Sequence, residues 1–406
     1  MRILFASIYP YVFLLLFFTI PFDNYLRALP NILLAILAIL FPFIVRKNHI
    51  LRLKRMPTIL LGVFVGYLVL NALVFGRLEE DWVVLKKVLL SLGLVVLYIP
   101  IDGFKKIYKA VIFSSLAAIV FSLIKLVMVV NASDSFNFLD SAIIIEALLT
   151  ERLYLGLLCV LSILASYQSM RDTYHPDNPY YVANIILNVL FVLLIVSRIS
   201  IIVLLVIFVL SFFYKKKRLP QMFFVTGGFL LAIILTFILN NDLRNQIFYS
   251  GSQHNDGLIE NTLAVEPRAV IWDCAHQVSK MEGTLLKGQG FTQTNREMLL
   301  CYETSVEDER KQAWFLSQKY NTHNQFIDFY LACGAIGLLL FLGSIVILFV
   351  RNRKAYLPTA LLFTLVSFAL VENLFHRQIG AYYVGFIFIM LLIAEAKSEN
   401  TALNEP

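Results

Sequence analysis

The chain has 406 residues, a net charge of +7, 59% apolar residues and only 15% charged ones. A soluble domain of this size carries nearer a quarter charged residues, so a soluble globular fold is excluded. The basic excess is concentrated in a few short links between apolar runs and calls for no nucleic-acid partner.

Apolar runs long enough to span a bilayer recur from end to end, each bounded by charge or by Pro and Asn, which predicts an all-α, polytopic integral membrane protein. Twelve transmembrane helices are expected, roughly at 4–22, 29–45, 58–75, 83–100, 107–130, 152–169, 181–197, 199–214, 221–239, 324–349, 357–372 and 379–394. The first follows Arg2, contains prolines and lacks a small-residue cleavage site, so it reads as a retained helix rather than a cleaved signal. Only Ser197-Arg198 separates the seventh from the eighth. The resulting organisation is helices one to nine over 1–239, a partly helical loop domain over 240–322, helices ten to twelve over 323–396, and a tail over 397–406.

Charge sets the expected orientation. Arg46, Lys47, Arg52, Lys54 and Arg55, then Lys105, Lys106 and Lys109, the KKKR run at 215–218, and Arg351, Arg353 and Lys354 occupy four links that fall on one side of a twelve-span arrangement. That side holds 18 of the 34 basic residues but 6 of the 27 acidic ones. By the positive-inside rule it is cytoplasmic, with both termini, and 240–322 is periplasmic.

This outer segment is too long for a passive connector. "EPRAVIWDCAHQVSKM" predicts a helix, with Pro267 at its start and Val270, Ile271, Cys274, Ala275 and Val278 at helical spacing. "ETSVEDERKQAWFLSQKY" predicts a second, with acid at its positive dipole end. GQG at 288–290 lacks the strand that a phosphate loop needs and reads as a tight turn. Cys159, Cys274, Cys301 and Cys333 show no CxxC spacing, so no zinc site is expected; Cys274 and Cys301 share the loop and are either disulfide-bonded or free.

Ionisable residues gather near the outer surface: Lys86, Lys87, Lys125, Glu151, Arg152, Arg198, Glu372, His376 and Arg377, with His323, Asn324 and Asp328 at the start of span ten. Singly, each reads as a snorkelling side chain or a lone ion pair. Together they point to a polar site at membrane depth, and arginines suit a lipid-linked phosphate or pyrophosphate because the guanidinium fork matches phosphate oxygens. His49, His175, His254 and His276 have no such setting. His323 stands where a membrane-bound donor presents its head group, and a neutral imidazole there can accept a proton from an attacking hydroxyl. Asn324 and Asp328 share a helix face, whereas His323 and Asp328 do not. Gly334 and Gly337 are expected to let another helix pack closely. The acidic runs Glu79-Glu80-Asp81 and Glu307-Asp308-Glu309 read as solvated surface without the spacing of a metal site.

His323-Asn324, nine residues, Gly334, two residues, Gly337 resembles the motif of bacterial O-antigen ligases and of the broader O-antigen ligase and polymerase superfamily. "VSRIS" at 196–200 is similar to that family's Ser-Arg turn, "PRAVIWDCAHQVSKMEGTLLKGQGF" at 267–291 to its Arg-x-x-x-Trp helix and Gly-x-Gly turn, and "ERLYLG" at 151–156 to the arginine-led start of a middle span. The motifs cover about 150–380; spans one to five carry none. The resemblance implies metal-independent, inverting glycosyl transfer, without a cofactor, from undecaprenyl pyrophosphate on the periplasmic side of the inner membrane. A ligase passes the glycan to a sugar hydroxyl of lipid A–core; a polymerase passes it to a second lipid-linked glycan. His323 would be the general base or position the acceptor hydroxyl, Arg198 and Arg268 would bind the pyrophosphate with Arg152 and Arg377 as further contributors, and Asn324, with Asp328 beside it, would support the site.

The ligase is the leading reading and the polymerase its alternative. A lipid-linked sugar transporter or flippase is the reading from another class, but transporters place charge near the midplane and often show repeated halves, whereas here charge gathers at the surface and no repeat is visible. A purely structural membrane subunit would leave the polar loop and outer arginines idle.

Overall fold

The computed structural model describes residues 2–101, 104–132, 148–171, 175–214 and 267–403. All regular structure among them is helical. The helices are α1 (Arg2–Thr19), α2 (Leu29–Ile44), α3 (Lys47–Ile50), α4 (Met56–Val74), α5 (Leu78–Tyr98), α6 (Phe104–Ala132), α7 (Arg152–Ser169), α8 (Asn178–Leu194), α9 (Arg198–Tyr214), α10 (Pro267–Ser279), α11 (Phe291–Ser305), α12 (Glu309–Gln318), α13 (Gln325–Asn352), α14 (Tyr356–Ala369) and α15 (Gln378–Leu403).

Every expected span that falls on described residues is a helix; the ninth span, the KKKR run and His254 lie outside them. Starts follow local chemistry. Prolines occupy the first turns of α2, α4 and α8, where the missing N–H costs nothing. Asp308 and Asn324 cap α12 and α13 with side-chain oxygens. Among the described residues, six helices can cross a membrane by length and composition, or seven if the pair Leu29–Ile44 and Lys47–Lys54, bent by 120°, counts as one span. The expected twelve also counted α5, with five charged residues in its first half, and α8, α9 and α14, which have 17, 17 and 14 residues and fall short of a full bilayer crossing.

At the centre of the bundle stands α15, whose residues from Ala381 to Leu392 are buried. It packs on α5 most closely, and on α14, α4 and α7. Gly385 permits the α5 approach, since a Cβ there would lie 2.9 Å from Leu94. Around this axis α1 packs on α2 and α6, α7 on α6, α8, α9 and α14, and α13 on α4 and α14. Large apolar side chains such as Ile39, Leu70, Phe113, Met128, Phe213 and Leu339 stay exposed, a lipid-compatible flank.

The basic links within the described residues share one end. Arg2 reaches the carbonyl of Val45, Arg52 those of Ile99 and Ile101, and Arg55 that of Leu392. Arg351 pairs with Glu395, and Tyr214 bonds the carbonyl of Arg353. The links 23–28, 148–151, 195–197, 280–290 and 370–377 lie at the opposite end, with the helical segment α10–α12.

That segment differs in detail from the expected pair of helices. The first is α10. The second stretch splits: Glu303–Ser305 close α11, a helix not foreseen, and α12 begins only at Glu309 because Asp308 accepts from the backbone N–H groups of Arg310 and Lys311. Cys274 and Cys301 form a disulfide joining α10 to α11, so the open alternative resolves to the bridge. Ile271, Ala275, Val278, Met298, Tyr302 and Phe315 form a small core of their own against Leu331 of α13.

Candidate functional site

The two halves of the His-Asn…Gly…Gly element do different things. Asn324 is the N-cap of α13: its Oδ1 accepts from Phe326 N at 3.0 Å and Ile327 N at 3.2 Å. Ten residues on, α13 breaks. Gly334 has φ 73° and ψ −178°, and into the break comes the backbone of the α10–α11 link. Gln289 N donates to Leu331 O at 2.7 Å, Gly290 N to Ala332 O at 2.9 Å, and Ala335 N to Leu285 O at 2.8 Å. Tyr67 of α4 donates to Cys333 O at 3.0 Å. The groups released by the break are thereby re-bonded, as a low-dielectric setting demands.

Gly334 was expected to admit a neighbouring helix. It admits the loop instead, since a Cβ there would sit 2.2 Å from Leu286 O; one on Gly288 would sit 2.3 Å from Ala332. Gly337 does face a helix: a Cβ there would lie 3.3 Å from Tyr67 of α4, and 2.7 Å from the Cys333 side chain of its own helix. The GQG turn is clamped from α4 and α5. Arg77 donates to the carbonyls of Gly288 (2.9 Å) and Lys287 (3.2 Å) and to Asn71 Oδ1 (2.7 Å), and Asn71 donates to Lys287 O. Asp81, read from sequence as solvated, is buried and accepts from Thr292 N at 3.0 Å, capping the start of α11.

His323 precedes the cap with φ 43°, a left-handed conformation that costs a non-glycine residue on the order of 1–3 kcal/mol. Its neighbours hold it there. Asn321 Oδ1 accepts from His323 N, and buried Thr322 and Asn373 bond through their side chains at 3.0–3.1 Å. Trp272 Nε1 donates to Thr322 O at 3.2 Å. The Tyr320 ring lies beside the imidazole at 5.3 Å between centroids. His323 Nδ1 faces Glu372 Oε2 at 3.3 Å, with the imidazole 25% and the carboxylate 13% exposed. Asp328 looks the other way: its Oδ2 bonds His376 Nε2 at 3.0 Å and accepts from Gln325 Nε2 at 3.0 Å. Gln325 Oε1 in turn accepts from Phe375 N. These buried bonds join the start of α13 to the α14–α15 link, which carries Glu372.

Of the four expected arginines, Arg152 lies within charge range of two others, Arg198 and Arg268. Gly156 packs so tightly on the α8–α9 turn that a Cβ would fall 2.0 Å from Ser200 Oγ and 2.7 Å from Ser197 Oγ. Arg152 lies one turn before Gly156 on the same face, so it is brought to Arg198, which lies between those serines. Arg268 lies one turn before Trp272 on α10, and Trp272 is tied to the His323 loop. The charge of Arg152 is accordingly felt by both Arg198 and Arg268. Val196, β-branched at φ 50°, marks strain in the turn that presents Arg198. Arg377 stands apart, paired with Glu151. Burial raises the Glu151 carboxyl above its ordinary value; Arg377 opposes the rise, Glu372 adds to it, and His323 opposes it. Consecutive residues thus face two neighbourhoods: Arg152 a cationic one, Glu151 the His323–Glu372 pair.

Glu372 and Arg77 were not singled out for a role in sequence. Both carried a signal, charge at the outer end of an apolar run, but nothing in their local spacing named a partner 49 or 211 residues away.

No curated protein matches the chain. Residues 183–342, a segment running from α8 through the His323 loop and the Gly334 break, match the family described as O-antigen ligase, and this match supports the O-antigen ligase superfamily for the chain, a multi-pass membrane protein.

Proposed function

We propose that the protein is an O-antigen ligase, transferring a glycan from undecaprenyl pyrophosphate to a sugar hydroxyl of lipid A–core at the periplasmic face of the bacterial inner membrane, without a metal. A membrane glycosyltransferase of the O-antigen ligase and polymerase type is the general activity that the family match supports. The observation that supports this reading is the carboxylate–histidine pair, His323 Nδ1 against Glu372 Oε2, on a loop tied by Trp272 to the helix of Arg268, with Arg152 in charge range of Arg198 and Arg268.

With Nδ1–H donating to Glu372, the His323 tautomer leaves the Nε2 lone pair for substrate. The acceptor hydroxyl attacks the anomeric carbon and its proton passes to Nε2. The new glycosidic C–O bond forms as the bond from the anomeric carbon to the pyrophosphate oxygen breaks, which inverts the centre in a single displacement. The departing lipid pyrophosphate takes the electron pair, and Arg152, Arg198 and Arg268 stabilise its charge. These cations supply what a divalent ion gives many sugar transferases. The disulfide and the basic links at the opposite end favour an oxidising compartment for this face.

Purified protein given undecaprenyl-pyrophosphate-linked glycan in EDTA, with or without lipid A–core, tests the reading. The expected result is a mobility shift of lipid A–core only, reduced about 10²–10⁴-fold in His323→Ala. Glycan lengthening without lipid A–core makes the protein a polymerase, and no product beside a working control enzyme favours the transporter.

A further inference from the structure

A polar cavity of about 280 Å³ is lined by Asp23, Asn24, Glu151, Tyr154, His376 and Arg377 among others, and its Glu151 lies within charge range of Glu372 and His323, which do not themselves line it. Sites for drug-sized ligands run from about 300 Å³ upward, so the space suits a single ring rather than a chain. Its wall is built by the α1–α2 link, the start of α7 and the α14–α15 link.

The chemistry of the wall differs from that of the arginine cluster. Asp23 and Glu151 bring two carboxylates against the one guanidinium of Arg377, which Glu151 already engages. Carboxylate and amide oxygens of Asp23, Glu151 and Asn24 offer acceptors to neutral hydroxyls, and the nearby cations Arg377 and Lys87 are already engaged, by Glu151 and by the His376 carbonyl. His376 forms a second carboxylate–histidine pair, Nε2 on Asp328 Oδ2 at 3.0 Å, so with Nε2–H donating its Nδ1 is left as an acceptor. Tyr154 is fully buried on this wall, within charge range of Glu151, Glu372 and Arg377, yet its hydroxyl has no hydrogen-bond partner among the described residues. An orphaned buried hydroxyl costs roughly 1–3 kcal/mol and calls for an explanation.

We propose that this cavity is the subsite for the acceptor sugar, holding one hydroxyl-rich ring through Asp23, Tyr154 and His376 so that a hydroxyl of that ring meets His323. The proposal rests on the transfer reading above and adds the place of the second substrate. Glu151 is the divider: its charge neighbours are Arg377, Glu372 and His323, while those of the next residue, Arg152, are the other two arginines. The base therefore stands between an acceptor-rich wall that takes hydroxyls and the arginines that take the leaving group.

Two calorimetric titrations of the native protein, Asp23→Asn and Tyr154→Phe decide it. One uses core oligosaccharide released from lipopolysaccharide by mild acid, the other undecaprenyl pyrophosphate. Each substitution is expected to weaken the oligosaccharide about tenfold while undecaprenyl pyrophosphate binds within about twofold of native, which also reports a folded protein. Should Tyr154→Phe fail to fold, Asp23→Asn in its half-buried link decides alone. Unchanged oligosaccharide binding in the variants, a native protein that binds none, or loss of undecaprenyl pyrophosphate instead overturns the proposal. Failure of the transfer reading is separable: a native protein that binds the oligosaccharide as expected but transfers no glycan overturns the enzyme and leaves the cavity as a sugar site.

Discussion

At residue 323 the backbone pays for position. A left-handed histidine persists only because Asn321, Thr322 with Asn373, and Trp272 over-determine its loop. Glu372 acts on the imidazole, so Glu372→Gln is expected to lower kcat by about a hundredfold with little change in either KM, the lower end of what a general base contributes. A fall in donor affinity with kcat intact would instead make Glu372 a binding residue. Asn324 spends its side-chain oxygen on the cap of α13. Asn324→Asp preserves a cap and is expected to retain transfer and melting temperature, whereas Asn324→Ala loses about 0.5–2 kcal/mol of stability. Loss of activity in a stable Asn324→Asp protein would show that the amide serves substrate.

Among the elements, the broken helix α13 and the link before α11 form one unit. Each supplies the backbone partners that the other lacks, and Asn71 of α4, Arg77 just before α5 and Asp81 of α5 hold the assembly. Gly288→Ala and Gly334→Ala therefore meet both a positive φ and a backbone clash. Each is expected to destabilise by more than the roughly 1–3 kcal/mol of the dihedral alone, read as a lower melting temperature and faster proteolysis between α10 and α11. Gly337→Ala, with no positive φ and its nearest clashes against the Cys333 and Tyr67 side chains rather than backbone, should cost less; equal costs at 334 and 337 would refute the docking role. The disulfide between α10 and α11 closes 27 residues, worth about 3–4 kcal/mol in the chain-entropy picture, and stiffens the arm that carries Arg268 and Trp272.

For the whole molecule, charge is sorted end to end. The basic links contact one another's helices at one end, and the candidate site occupies the other. In intact cells, a membrane-impermeant maleimide should label Ser317→Cys, and should label Lys54→Cys only after the membrane is opened. The reverse pattern would invert the orientation and remove the site from the periplasm.

Helix positions and the sorting of charge were legible along the chain because burial in lipid imposes its rule on every consecutive residue: apolar runs, prolines at starts, cations between them. The start of α7 at Arg152 was read to the residue, and so were Pro267 at the head of α10 and the glycine turn at 288–290. His323, Arg198, Arg268 and Arg152 could be named because each lies in a local pattern. What pairs with what was not legible. Glu372 on His323, His376 on Asp328, Glu151 on Arg377 rather than Arg377 among the arginines, and the loop that enters the break at Gly334 all join residues 48 to 226 positions apart or fill a gap that sequence shows only as a glycine. Composition and periodicity determine which residues leave water; only the packed bundle decides which polar groups then meet, because a buried charge or an open carbonyl must find its partner wherever in the chain that partner lies.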